Sequence, residues 1–377
     1  MVRSIKYIAY NDHSGYAVAA ARTMRGLIEA GVPLNWTPLA PGRSGTSGLW
    51  YGVEAAPSAL DPALDPHCLR AVDHDVVIVH TVPDYFPEWL ARERGRFRVA
   101  YTTWEADRLP VHWPGVLNAF DLVLVPCEWN RRVMRRDGVT APIAVVPHIS
   151  EPIDARGEAL PLAAGPETTV FYTINTWDWR KAMPETIEAY LRAFTRHDDT
   201  LLVVKTDRHD RTRKGLHWRF PPRVSRRVRR LRRRHRNAPR VQLIDRPLSG
   251  PQVHALHRQG HCFLSLTHGE GWGLGAFDAA RAGNQIVITG FGGHCDYLPA
   301  GHATLLDYRR VPVAYPVPGI PFQPHQCWAE ADMDQAVDAL RRVRPEPNPA
   351  LAEHIAHHYN RRTVTHRLLE ALARHVH

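Results

Sequence analysis

Long apolar runs are missing from this chain of 377 residues: none approaches the roughly 18 consecutive apolar residues a membrane-spanning helix needs. The opening MVRSIKYIAYND turns polar after one short run, so no secretory signal is visible and a cytoplasmic location is expected. Cysteine is scarce. Cys68, Cys127, Cys262, Cys295 and Cys327 are odd in number, far apart and never in a C-x-x-C pair, which argues against a disulfide framework or a zinc knuckle. Reduced, mostly buried thiols are the expectation. H-E-x-x-H is absent, and the histidine cluster His354, His357 and His358 reads as a solvated helix face rather than a metal site. Neither a P-loop G-K-[ST] nor a G-x-G-x-x-G after the first strand occurs, which counts against a P-loop nucleotidase and a nicotinamide dehydrogenase.

What is present is an ordinary globular composition: 44% hydrophobic and 23% charged residues, with 25 Gly and 31 Pro. Disordered, collagenous and coiled-coil classes are thereby excluded. At roughly 150 residues per domain the length implies about two domains. The net charge of +10 is concentrated: Arg208 to Arg240 holds 15 Lys or Arg against the single acid Asp210, leaving −4 on the other 344 residues. Within it Val224, Val228 and Leu231 form a narrow apolar stripe at i, i+4 and i+7, and Arg226, Arg227, Arg229, Arg230, Arg232, Arg233 and Arg234 fill the remaining circumference. This short basic helix, 223–236, suits either a solvated surface or an anionic membrane or polyanion. Nucleic acid is disfavoured because no aromatic-interleaved or zinc-finger pattern accompanies it.

Short, continuous apolar runs recur between helical patterns. They are Ile5–Tyr10, Val76–His80, Arg98–Thr102, Leu122–Pro126 and Ile143–Pro147, then Val170–Ile174, Leu201–Lys205, Val241–Ile244, Cys262–Leu266 and Ile286–Thr289. Continuous hydrophobicity is what parallel strands covered on both faces require. Helices are expected over Ala17–Ala30, Glu128–Arg136, Met183–Thr195, Ala276–Ala282 and the last 27 residues, Leu351–His377, with Leu368, Leu369 and Leu372 on one face. Strand and helix alternate twice over, so two doubly wound Rossmann-like α/β domains are predicted. The aperiodic, Pro/Gly/Ala-rich stretch 151–167 is the expected join. It gives domains of 1–158 and 159–355, with 356–377 a terminal helix that packs back on the first domain.

Ligands of open α/β sheets bind beyond the carboxyl ends of the strands. After the first strand, Gly15 in NDHSGY lets backbone approach an anion at a helix start. After Cys262–Leu266 comes THGEGWGLGAFDAA, in which Gly271, Gly273 and Gly275 allow the chain to fold around a ligand. The helix start offers free N–H groups to negative charge. Glu270 on the loop and Asp278, placed in the helix's first turn, suit bidentate hydrogen bonds to sugar hydroxyls.

The segment HGEGWGLGAFDAARAGNQIVITGFGG resembles the signature of retaining GT-B glycosyltransferases of family 4: an acid, seven residues, a second acid, a helix, a glycine, a strand and a Gly-Gly turn. FYTINTWDWRKAMPETIEAYLRAF resembles the opening of that family's donor domain. VAYTTWEADRLPVHWPGVLNAFDLVLVPCEWNRRVMRRDGV with VVPH resembles the end of its acceptor domain, and GHATLLDYRRVPV with CWAEADMDQAVDALRRV the tail of the donor domain. The resemblance implies a GT-B fold, two Rossmann-like domains facing across a cleft. It further implies a retaining, metal-independent hexosyltransferase that uses a UDP- or GDP-type sugar and a hydroxyl acceptor such as a glycan, glycolipid or polysaccharide precursor.

By that resemblance Glu270 contacts the donor hexose and Asp278 stands where a ribose-binding Glu is usual. Trp272 replaces a commoner Phe, and Gly271, Gly273 and Leu274 line the donor. Asn175, a candidate donor-binding residue, stands in place of the family's Arg, leaving Arg180, Lys181 and Lys205 as candidate diphosphate ligands, Lys205 also with a catalytic role. His80 is the candidate acceptor-domain residue near the reacting sugar, or a histidine that merely finishes a strand. Glu105 and Asp107 line the acceptor cleft or form a turn with a salt bridge to Arg108. No cofactor or metal is expected. The competing readings are a nucleotide-sugar hydrolase, epimerase or phosphorylase on the same fold, and a non-catalytic carbohydrate- or polyanion-binding protein with a decayed site.

Overall fold

The computed structural model describes residues 4–41, 51–155, 157–210, 212, 223–313 and 321–376. The GRSGTSG stretch, and Arg211, Arg213, Lys214 and Arg219 of the basic segment, lie outside the described residues. The chain divides into two units: 1–151 with 357–377, and 152–356. The division therefore falls at Glu151/Pro152, ahead of the expected 158/159.

In the first unit the elements are β1 (Ile5–Tyr10), α1 (Gly15–Glu29), β2 (Leu34–Pro41), β3 (Tyr51–Val53), β4 (Val76–His80), α2 (Phe86–Arg92), β5 (Phe97–Tyr101), α3 (Trp113–Leu117), β6 (Leu122–Val125), α4 (Glu128–Arg136) and β7 (Ile143–Val145). They form a seven-stranded sheet, β3-β2-β1-β4-β5-β6-β7, parallel except for the antiparallel β2–β3 pair. The apolar runs sit in the middle of it: every residue of β4 and β6 is buried. The order reverses between β1 and β4, so this unit's switch point lies beyond Tyr10 and His80.

The second unit contains β8 (Thr169–Ile174), α5 (Met183–Ala193), β9 (Thr200–Lys205), α6 (Val224–Arg232), β10 (Arg240–Ile244), α7 (Gly250–Gln259), β11 (Cys262–Ser265), α8 (Leu274–Arg281), β12 (Gln285–Thr289), β13 (Thr304–Leu306), β14 (Tyr308–Pro312), β15 (Cys327–Ala331), α9 (Met333–Arg342) and most of α10 (Pro349–His358). Its sheet, β10-β9-β8-β11-β12-β13, is parallel throughout, and β14 and β15 make a separate antiparallel hairpin. The switch point here lies between β8 and β11, beyond Ile174 and Ser265.

Two expectations change. The single terminal helix is two, α10 and α11 (Arg361–Ala373), because Asn360 leaves the helical conformation and caps the second through Thr363 N–H at 2.9 Å. Leu368 and Leu372 of α11 are buried in the first unit's core with Ile5, Met24 and Leu27. The basic helix α6 does form, but Val224 and Val228 are buried in the second unit's core with Ile187 and Leu202. Its two valines are already covered by protein, and arginine dominates the outward face: Arg226, Arg229, Arg230 and Arg232, with Arg233 and Arg234 just past the helix end, are exposed, while Arg227 pairs at 3.1 Å with the buried Asp210. Among the described residues no helix is long and apolar enough to cross a membrane.

Close packing of α1 against α11 depends on Gly26: a Cβ there would stand 2.2 Å from Thr365 Oγ1. Ala in place of Gly ordinarily stabilises a helix interior by about 0.5–1 kcal/mol, whereas overpacking costs about 1–3 kcal/mol. Gly26→Ala is therefore expected to lower the urea unfolding midpoint; a raised midpoint would show that the two helices do not meet at this position.

Candidate functional site

The loops that leave β8 and β11 converge beyond the second switch point. The β8 loop is held by Asn175, whose N–H donates to Lys205 C=O at 3.1 Å and whose Nδ2 reaches Ser265 Oγ at 3.3 Å and Thr173 Oγ1 at 3.2 Å. Its side chain thus ties β8 to β11. Asp178 then accepts from Thr176 Oγ1 at 2.7 Å and from Lys181 N–H at 2.9 Å, which fixes the backbone that presents Arg180 and Lys181. The β11 loop docks on it: His268 N–H and Thr267 Oγ1 both donate to Arg180 C=O, at 2.8 and 3.1 Å.

These loops bring together three groups separated by about ninety residues. Lys181 Nζ donates to Glu270 Oε1 at 2.6 Å, and Arg180 Nη1 to Glu270 Oε2 at 3.2 Å and to Gly269 C=O at 2.7 Å. Glu270 is 6% exposed. Burial alone pushes its carboxyl up, but Lys181 and then Arg180 outweigh this and hold it down at about 2. The carboxylate is therefore ionised across the physiological range.

A third loop closes the site. Gly292, at φ +124°, lies against Glu270 in a parallel bridge, and Gly293 N–H donates to Glu270 C=O at 2.8 Å. A Cβ on Gly292 would stand 2.4 Å from that carbonyl oxygen, so only glycine fits. The next residue, His294, was not singled out by sequence reasoning, although the Gly-Gly turn before it was. It is fully buried, and its Nε2 lies 2.6 Å from Thr289 C=O. A carbonyl only accepts, so Nε2 carries the proton; burial, the dominant influence, lowers the imidazole's pKa and keeps it neutral.

Gly273, left-handed at φ +86°, starts α8 without a side-chain cap, and Tyr297 Oη donates to its carbonyl at 2.9 Å. The helix begins at Leu274, two residues earlier than Ala276, so Asp278 lies in its second turn rather than its first, half-buried. The uncapped first turn of Leu274, Gly275 and Ala276 leaves N–H groups for an anion. Gly271 belongs to the buried loop, and Trp272 is buried against Phe277 and Tyr297 at ring-centroid distances of 5.0 and 4.7 Å, so its indole shapes the loop from beneath. Lys205 ends β9, across β8 from β11, with Nζ 3.3 Å from Thr206 C=O. Burial lowers its pKa, with Asp207 opposing.

In the first unit Gly15 is the first residue of α1, behind the N-cap Ser14. His80 is 1% exposed: Nδ1 lies 2.8 Å from Tyr7 Oη and the ring stacks on Tyr101 at 4.0 Å, with His148 at 6.0 Å. Burial first, then His148, drives its pKa well below the ordinary value, so it is neutral. Glu105 and Asp107 are half-buried on the turn after β5, and Arg108 pairs with Asp137 at 2.7 Å.

Because Glu270 is held below the 4.5 of an open side chain, its ion pairs stabilise the folded chain fully above about pH 4.5, and this contribution is lost as pH falls toward about 2. Glu270→Gln leaves two buried cations uncompensated and is expected to cost about 3 kcal/mol at pH 7. In urea titrations the gap to the wild type should narrow below pH 4.5; a gap independent of pH would reject the ion-pair assignment.

No protein-family profile and no curated protein matches the chain. Solved structures do. The chain is similar to OtsA in its apo form (TM-score 0.67, 12% identity, 98% of this chain and 99% of that one). It is equally similar to sucrose-phosphate synthase of Thermosynechococcus elongatus (0.67, 12%, 99% and 98%). An E. coli trehalose-6-phosphate structure bound with UDP-2-fluoro glucose gives 0.61 and 12%, covering 99% of each chain. These neighbours are GT-B glycosyltransferases, and the chain has their fold, two Rossmann-like units built on parallel sheets.

Proposed function

We propose that the protein is a retaining, metal-independent glycosyltransferase that moves a hexose from a UDP- or GDP-type sugar to a hydroxyl of a glycan, glycolipid or polysaccharide precursor. The observation that supports this reading most is an ionised, buried carboxylate, Glu270, set beside Lys181 and Arg180 at a sheet's switch point, one turn from an uncapped helix start. Acid and cations so placed match the two halves of a sugar diphosphate. A structural neighbour is bound with UDP-2-fluoro glucose, which agrees with a nucleotide-sugar donor.

In this reading Glu270 accepts hydrogen bonds from hexose hydroxyls and Asp278 from the ribose. Lys181, Arg180, Lys205 and the N–H groups of Gly273 and Leu274 neutralise the diphosphate. Charge that develops on the leaving diphosphate meets fixed cations and dipoles, which is usually the largest catalytic contribution and calls for no metal. The acceptor hydroxyl attacks the anomeric carbon on the face the diphosphate leaves, and its proton passes to the departing phosphate oxygen. His80, neutral, serves on the acceptor side as a hydrogen-bond partner, and Glu105 and Asp107 orient the acceptor.

The donor is identified by thermal shift with UDP, GDP, ADP, dTDP and CDP, with and without magnesium; a ligand at 100 times its dissociation constant adds about 2.7 kcal/mol. One nucleotide is expected to stabilise the protein without metal, and Lys205→Ala and Glu270→Ala each to reduce transfer by about a hundredfold or more. Unchanged transfer in both variants would reject the assignment.

We further propose that the outward arginines of α6 hold the enzyme at an anionic membrane surface where lipid-linked acceptors reside. With Val224 and Val228 committed to the core, the attraction is electrostatic, about 1 kcal/mol per cation near the surface. Charge reversal at Arg229, Arg230 and Arg233 is expected to weaken binding to phosphatidylserine vesicles while sparing the nucleotide thermal shift. Equal vesicle binding would sink the proposal.

A further inference from the structure

The cations proposed to hold the diphosphate are themselves engaged with Glu270. Lys181 Nζ stands 2.6 Å and Arg180 Nη1 3.2 Å from the two oxygens of Glu270, with side-chain exposures of 14%, 10% and 8%. His294 adds no charge, since its Nε2–H is committed to Thr289 C=O and burial keeps the ring neutral. The cluster therefore carries +1, not +2, toward an incoming anion. Its geometry is fixed from three sides: Asp178 holds the backbone of Lys181, Gly269 C=O shares Arg180, and Gly293 N–H holds Glu270.

We propose that Glu270 is a specificity-determining residue that competes with the diphosphate for Lys181 and Arg180, so that the site favours a sugar diphosphate over a bare one. This rests on the glycosyltransferase reading of the same site. A donor brings hexose hydroxyls that donate to Glu270 and replace the hydrogen bonds it gives up when the cations turn to phosphate. A nucleoside diphosphate brings no such donors, so its phosphates take the cations only by leaving a buried carboxylate under-partnered, which is costly. After transfer the hexose hydroxyls depart with the product, Glu270 recovers its cations, and the diphosphate faces a weaker site. The acid that recognises the sugar thereby also promotes release of the leaving group.

The test is titration calorimetry of inorganic pyrophosphate, which has neither sugar nor ribose, together with the nucleoside diphosphates. Glu270→Gln is expected to bind pyrophosphate about tenfold more tightly than the wild type, equivalent to about 1.4 kcal/mol, although it loses transfer. Glu270→Asp, which keeps the charge but retracts it, should fall between the two and covers the case in which the Gln variant does not fold. Glu185→Gln is the charge control: Glu185 lies in the first turn of α5, four residues beyond Lys181, and makes no ion pair among the described residues. It should bind as the wild type does. Equal or weaker binding by both folded Glu270 variants, or equal tightening by Glu185→Gln, overturns the competition. Failure of pyrophosphate and every nucleoside diphosphate to bind any form overturns the glycosyltransferase reading instead, and the competition with it.

Discussion

A buried carboxylate needs partners, and the site in the second unit is arranged around meeting that need for Glu270. Removing an ionised group from water is among the most expensive steps in folding, and it is tolerated when opposite charge and hydrogen bonds replace the solvent. Here the replacement comes from Arg180 and Lys181, residues that reach Glu270 only because β8 and β11 are neighbours in the sheet. Asn175 then ties the strand ends together, and the backbone contacts from His268 to Arg180 and from Gly293 to Glu270 keep the two loops and the third in register. The demand of one charge thus fixes the conformation of three loops.

The same demand explains the glycines. Gly292 is required because Glu270 C=O occupies the space a side chain would fill. Gly273 is required because the chain must reverse into αL to start α8 immediately after the carboxylate's loop. Ala182, one residue past Lys181, adopts φ +45° without being glycine. An L-residue there costs about 1–2 kcal/mol. Its location between the site lysine and α5 puts that strain where backbone position matters most.

Much of the architecture was legible because the strands that build both parallel sheets are continuous apolar runs, and burial on both faces leaves no other composition workable. Elements that do not share that environment were not. β2 reads LNWTPLAP, interrupted by Pro and polar residues, and the β14–β15 hairpin pairs exposed YRRVP with CWAEA, where the outward face erases the apolar signal. The start of α8 was placed two residues late because a left-handed cap depends on φ, which glycine permits but does not announce. Glu270 was visible through its motif, and Lys181 and Arg180 through theirs. That they neutralise one another was not visible, since pairing across 89 and 90 positions depends on strand order. His294 carried the weakest signal, a histidine after Gly-Gly; the hydrogen bond to Thr289 places its proton on Nε2, and burial keeps the ring neutral.

The chain uses positive charge in two physically different ways. Arg180 and Lys181 lie in a largely buried cluster, where ion pairs are strong, geometry is fixed and salt screens little. The arginines of α6 stand in water, where each contributes modestly and an ionic strength near 0.15 M confines their reach to about 8 Å. A row of such residues discriminates poorly between one anion and another but responds to the density of negative charge on a surface. A helix whose valines were free would partition into lipid by apolar contact as well; with Val224 and Val228 packed against Ile187 and Leu202 it has only its charge. In the proposed reading, chemical selectivity resides in the buried pair, and the exposed helix contributes attraction that depends on salt.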